Sequence, residues 1–144
     1  MTKRLYFAYG ANMSKSAMRY RCPTSQPVGA MILQGWQLEF YTHATIVPKP
    51  GAQCAGVLWA LTPECEQELD HFEGFPHYYT KRDYKQGNQQ FFFYEMTAPL
   101  TGYPNEKYVN DIARSYQQWR LPEQLLEAAI DRVYDRYDQE FPQK

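Results

Sequence analysis

The apolar residues of this chain change their spacing about two-thirds of the way along, and no other feature limits the fold as much. Before that point they come in short runs cut by Gly, Pro and Asn. Residues 5–9 (Leu-Tyr-Phe-Ala-Tyr) end at Gly10; residues 30–33, 37–41, 44–47 and 55–61 follow, with Pro48 and Pro50-Gly51 expected to stop the fourth. Residues 79–85 and 90–96 flank Gly87-Asn88, a hairpin signal. After that point the spacing is helical. Tyr108, Ile112, Tyr116 and Trp119 make one stripe, and Leu125, Ala129, Val133 and Tyr137 make another that begins after Pro122. An earlier helix is expected over residues 62–72, capped by Thr62 with Pro63 in its first turn and stopped at Gly74. Strands followed by helices give an α+β fold with a helical C-terminal third, not alternating βαβ units. A closed or nearly closed small barrel would hide the edges of so many short strands.

A chain of 144 residues has room for one domain of ordinary size. The expectation is a single domain over residues 1–144, with residues 131–144 as a helical C-terminal extension. Fifteen Lys and Arg against sixteen Asp and Glu leave a net charge of -1, which provides no general attraction to nucleic acid or membrane. The basic residues Lys81, Arg82, Arg132 and Arg136 read as solvated faces. No apolar run reaches about 18 residues, so no membrane span is expected, and the stretch after Met1-Thr-Lys-Arg is too short for a signal peptide. Cys22, Cys54 and Cys65 are odd in number and lack C-x-x-C spacing, against both a disulfide framework and a structural zinc site. A reduced, cytoplasmic protein, monomer or homodimer, without cofactor or metal, is the expectation. Aromatic residues reach 17%, with 13 Tyr, which favours a strand-rich fold and an aromatic-lined pocket.

Two segments can carry chemistry. In the first, the strand ending at Tyr9 delivers the chain to Gly10, Ala11 and Asn12, a turn able to aim backbone N–H groups at a carboxylate or an oxyanion. In the second, Glu73 follows a helix C-terminus, where the dipole disfavours negative charge. Shelter between Phe72 and Phe75 would raise its pKa further, towards what a general acid/base needs. The same spacings also fit an ordinary tight turn and a solvated loop glutamate. His71 and His77 read as surface residues, since no nucleophile elbow accompanies them.

Taken together, residues 6–13 (Tyr-Phe-Ala-Tyr-Gly-Ala-Asn-Met) and residues 69–76 (Leu-Asp-His-Phe-Glu-Gly-Phe-Pro) resemble the gamma-glutamylcyclotransferase-like family, including its AIG2-like and gamma-glutamylamine branch. Residues 44–48, Gly51, residues 56–62, Tyr79 and the segment from Pro104 to Leu121-Pro122 continue the resemblance over most of the chain. It implies a small mixed β-barrel flanked by helices. It also implies a small-molecule gamma-glutamyl substrate, whose own α-amine attacks the γ-carbonyl to release 5-oxoproline and a free amine. Glu73 matches the acid/base. Tyr9, Gly10, Ala11 and Asn12 match the loop that binds the glutamyl end, and Tyr79, ahead of Tyr78, matches the tyrosine that follows the glutamate. Ala11 departs from the pattern, because the family places Ser there. The alternative is a catalytically silent ligand-binding or scaffold protein that uses the same pocket.

Overall fold

The computed structural model describes residues 3–98 and 102–142. Arg4–Ala8 forms β1, the middle strand of a five-stranded sheet. Its last three residues are fully buried, as expected of a strand covered on both faces and read in sequence as an unbroken apolar run. A long hairpin flanks it: β2 (Gln26–Phe40) and β3 (Ala44–Leu61) pair from Phe40↔Ala44 down to Gln26↔Ala60. A second hairpin, β4 (Tyr79–Gln86) and β5 (Gln89–Met96), turns at Gly87-Asn88. Gly87 has φ +59°, the left-handed conformation this two-residue turn demands. The order across the sheet is β2-β3-β1-β5-β4, with β1 antiparallel to β3 and parallel to β5.

The sheet is not a closed barrel: β2 and β4 remain its edges. A side chain spans part of the gap. Gln86 of β4 accepts from the Gln34 N–H at 2.8 Å and donates to the Ile32 carbonyl at 2.9 Å, imitating a strand on the edge of β2. The free edge of β2 is also covered from α4 (Glu123–Glu140). Arg132 donates to the Leu38 carbonyl at 2.7 Å, and Arg136 to those of Phe40 and Gly102 at 2.8 and 2.9 Å. These arginines are therefore edge caps and not a solvated face. Lys81 likewise is held by Glu66 at 2.6 Å and Asp70 at 2.9 Å. Helix α4 runs unbroken through residue 131.

Pro48 and Pro50 do not end a strand. Pro48 pairs with Trp36 and Gln53 with Gln34, so residues 49–52 bow out of the ladder as one large irregularity opposite Gly35. β1 reaches only Val57–Leu61 of β3, leaving the prolines on an open edge where a missing N–H breaks no second ladder. Gly56 serves another purpose. A Cβ there would lie 2.5 Å from the Ala8 carbonyl oxygen and from the Phe7 ring, so the bare backbone is what lets Phe7 cover β3.

Helix α1 (Lys15–Arg21) was not anticipated; it is short, and its start is marked only by Ser14, whose hydroxyl accepts from the Ala17 N–H at 3.2 Å. Helix α2 (Pro63–Phe72) begins as expected, with Thr62 accepting from the Cys65 N–H. Helix α3 (Glu106–Gln118) is capped by Asn105. Its Ile112 and Tyr116 enter the core, as the helical stripe predicts. All three cysteines are buried thiols. No helix among the described residues is long and apolar enough to cross a membrane.

Candidate active site

Where β1 ends, Gly10 enters a single 3-10 turn, Ala11–Met13. The amides of Met13 and Ser14 close it by donating to the carbonyls of Gly10 and Ala11, and the Trp119 indole N–H donates to the Met13 carbonyl at 2.7 Å. This anchored turn leaves Asn12 only 3% exposed. A Cβ on Gly10 would sit 3.4 Å from the Tyr108 hydroxyl and 3.7 Å from Ala44 Cβ. Any side chain there would enter the cavity that the turn borders.

The second segment reaches the same cavity by helix capping. Helix α2 ends in a Schellman motif: Gly74 N–H donates to the His71 carbonyl and Phe75 N–H to that of Asp70. Gly74 takes φ +67°, a conformation that favours glycine. Glu73 is thereby the C-cap residue, and its carboxyl turns inward. Asn12 Nδ2 donates to Glu73 Oε1 at 3.2 Å across 61 residues of sequence.

The cavity, about 220 Å³, is lined by Tyr9, Gly10, Ala11, Asn12, Glu73 and Tyr79 together with Tyr6, His43, Ala44, Phe72, Tyr78, Tyr94 and Tyr108. All six residues singled out from the sequence therefore meet in one place. It has room for an amino-acid-sized ligand and is smaller than a drug-sized pocket.

Burial pushes the Glu73 carboxyl up from 4.5 to about 7, against the opposing pull of the Arg21 charge and the Asn12 hydrogen bond. Desolvation wins because a carboxylate without water loses more than one amide bond and one cation return. The shelter differs from the one expected. Phe72 is 48% exposed, and the covering is supplied by the tyrosines around the cavity.

The tyrosines are tied to the backbone and to one another. Tyr9 donates to the Tyr94 carbonyl at 2.7 Å and Tyr79 to the Ala44 carbonyl at 2.5 Å, so both hydroxyl protons are already committed. Tyr108 accepts from the Ala44 N–H at 3.1 Å, and Tyr78 pairs with His43 Nδ1 at 2.9 Å. Burial raises Tyr108 to about 12 and pushes Tyr6, Tyr9, Tyr79 and Tyr94 well above the ordinary phenol value. Around the carboxyl, these walls remain neutral. Ala11 contributes a methyl to the wall where a serine would have put a hydroxyl. His71 and His77 are exposed.

Five contributors were not legible as site residues, among them His43, which stands in no run or motif. Tyr108 lies in a helical stripe that reads as core, and Tyr6 and Tyr94 lie in strands that read as core. Arg21 belongs to no motif, yet its Nη1 donates to Asn12 Oδ1 at 2.6 Å.

Comparison with known proteins identifies the fold and the family. A solved structure described as gamma-glutamyl cyclotransferase superposes with a TM-score of 0.75 at 25% identity, covering 88% of this chain and 86% of that one. An uncharacterized protein from Homo sapiens superposes with a TM-score of 0.80, also at 25% identity, covering 90% and 87%. YkqA from Bacillus subtilis shares the fold, with a TM-score of 0.73 at 20% identity over 93% of this chain and 55% of that one. No curated protein matches the chain in sequence. The family model described as "Gamma-glutamyl cyclotransferase, AIG2-like" matches residues 6–121, a span that contains both turns meeting at the cavity, and the chain belongs to that family.

Proposed function

We propose that the chain is a gamma-glutamylcyclotransferase-type enzyme that cleaves a gamma-glutamyl amide or peptide to 5-oxoproline and a free amine, with Glu73 as the acid/base. The observation that carries this reading is the position of the Glu73 carboxyl. It lies in a small cavity, hydrogen-bonded to Asn12 of the turn after β1, and is shifted by burial to about 7.

The substrate carries nucleophile and electrophile on one chain. Folding the glutamyl group so that its α-amine faces the γ-carbonyl can supply up to roughly 7–11 kcal/mol of the barrier through orientation alone. Proton transfer remains. The α-ammonium must lose a proton before it attacks, and the leaving nitrogen must gain one as the amide bond breaks. The nitrogen of the adduct then gives up a second proton, and the free amine takes up a second to become ammonium. Two protons therefore pass in all from the α-nitrogen to the leaving one. A carboxyl poised near neutrality can accept and return each in turn, ending as it began. The turn at Tyr9, Gly10, Ala11 and Asn12 binds the glutamyl end, using backbone donors since Ala11 brings no hydroxyl. Loss of one neutral hydrogen bond costs about 0.5–1.5 kcal/mol, which weakens affinity without abolishing turnover. Tyr79 forms part of the cavity wall.

The test is a panel of gamma-glutamyl dipeptides and gamma-glutamyl amines, with 5-oxoproline as the readout. Product from at least one member is expected, and Glu73→Gln should lower its formation by about 10²–10⁴-fold. Saturable binding with no product from any member would favour the silent binding protein instead.

A further inference from the structure

Arg21 ends α1 and takes no part in the proton transfers above, yet its guanidinium is held by two neighbours of Glu73. Nη1 donates to Asn12 Oδ1 at 2.6 Å. The guanidinium also lies over the Phe72 ring, 3.8 Å from its centroid. Asn12 is the hydrogen-bond partner of Glu73, and Phe72 is its chain neighbour. The amide of Asn12 is planar, so fixing one end fixes the other. With Oδ1 held by Arg21, Nδ2 faces the Tyr6 hydroxyl at 3.1 Å and Glu73 Oε1 at 3.2 Å. Flipping the amide would aim its NH₂ at a guanidinium that has only donors.

We propose that Arg21 is a positioning residue for the acid/base: by holding Asn12 Oδ1 it fixes which end of that amide meets Glu73. This rests on the reading of Glu73 as acid/base. The other groups around the carboxyl are Tyr6 from β1 and Tyr9 just after it, His43 from the β2–β3 turn, Tyr78 and Tyr79 where β4 begins, Tyr94 from β5 and Tyr108 from α3. On α2 itself, Asp70 is engaged by Lys81 and Tyr94, and His71 is exposed. The phenols carry no charge near neutral pH. Arg21 is the cation whose field opposes the burial of Glu73. Arginine suits the position better than lysine, since a planar fork can stack on Phe72 while donating in its own plane.

The experiment compares kcat/KM against pH for wild type, Arg21→Met and Arg21→Lys. Arg21→Met removes charge and donor but keeps an apolar stem on Phe72. Its acid limb should move upward by about one pH unit, so that activity falls about fivefold near pH 7, about tenfold well below it, and recovers near pH 9. Arg21→Lys should keep the limb close to wild type while lowering kcat at every pH, because the charge stays and the planar donor is lost. A pH-independent loss in Arg21→Met, as from a merely structural defect, would overturn the proposal, as would no effect at all.

If wild type yields no product from any substrate, the underlying reading has failed. Arg21 is then judged by a ¹³C titration of the Glu73 carboxyl, assigned by difference from Glu73→Gln. A higher midpoint in Arg21→Met supports the coupling, and an unchanged midpoint refutes it.

Discussion

Glu73→Gln is expected to make the protein more stable above neutral pH while removing its activity. The folded chain holds the Glu73 proton to about 7, whereas the unfolded chain releases it near 4.5. Between those values the folded state binds more protons than the unfolded state, so stability falls as pH rises. The loss is absent below the lower value and complete above the higher one. Its size follows from about 1.4 kcal/mol per unit of pKa, giving up to about 3 kcal/mol. Glutamine keeps the shape and carries no charge, so the variant escapes the loss. Urea unfolding should give nearly equal stabilities at about pH 4 and a gap of up to about 3 kcal/mol in favour of Glu73→Gln at about pH 8.5. A gap of the opposite sign at high pH would mean that the carboxylate is stabilised where it lies.

Asn12→Asp exchanges one NH₂ for an oxygen and is expected to cost about 10²-fold in activity at pH 7. Asn12 Nδ2 stands 3.2 Å from Glu73 Oε1. The substitution therefore sets two carboxyl groups at hydrogen-bond distance, where both cannot ionise together without strong repulsion. Arg21 at 2.6 Å favours ionisation at position 12, so the shared proton rests on Glu73 and the base is withheld at neutral pH. Activity should return as pH rises. Measuring kcat/KM from about pH 6 to 10 separates this from a folding defect, which would lower the curve without moving it. The Tyr6 hydroxyl, 3.1 Å from Asn12 Nδ2, can donate to the new oxygen, so the turn itself should survive.

The helices after residue 100 were legible because their stripes obey one period and begin at Asn105 and Pro122, which act locally. The two long strands were not read as such. Their irregularities, at Gly35 opposite residues 49–52 and between Pro27 and Gly29, look in sequence like strand ends, and only the pairing partner shows that the ladder resumes. The open edge of β2 was also hidden, because what covers it is a glutamine on another strand and two arginines on a distant helix. For the site, the two turns were visible as motifs, since each depends on local backbone chemistry. Their meeting was expected only through the family resemblance, because no local spacing shows that β1 and α2 converge on one cavity. Arg21 could not be found at all: its role comes from a seven-residue helix whose placement no spacing announces.

The most direct measurement is a ¹³C titration of the Glu73 carboxyl, without and then with a gamma-glutamyl substrate or 5-oxoproline. A midpoint near 7 in the free protein, displaced when the ligand binds, is the predicted result. A midpoint at the ordinary glutamate value near 4.5, indifferent to ligand, would contradict it.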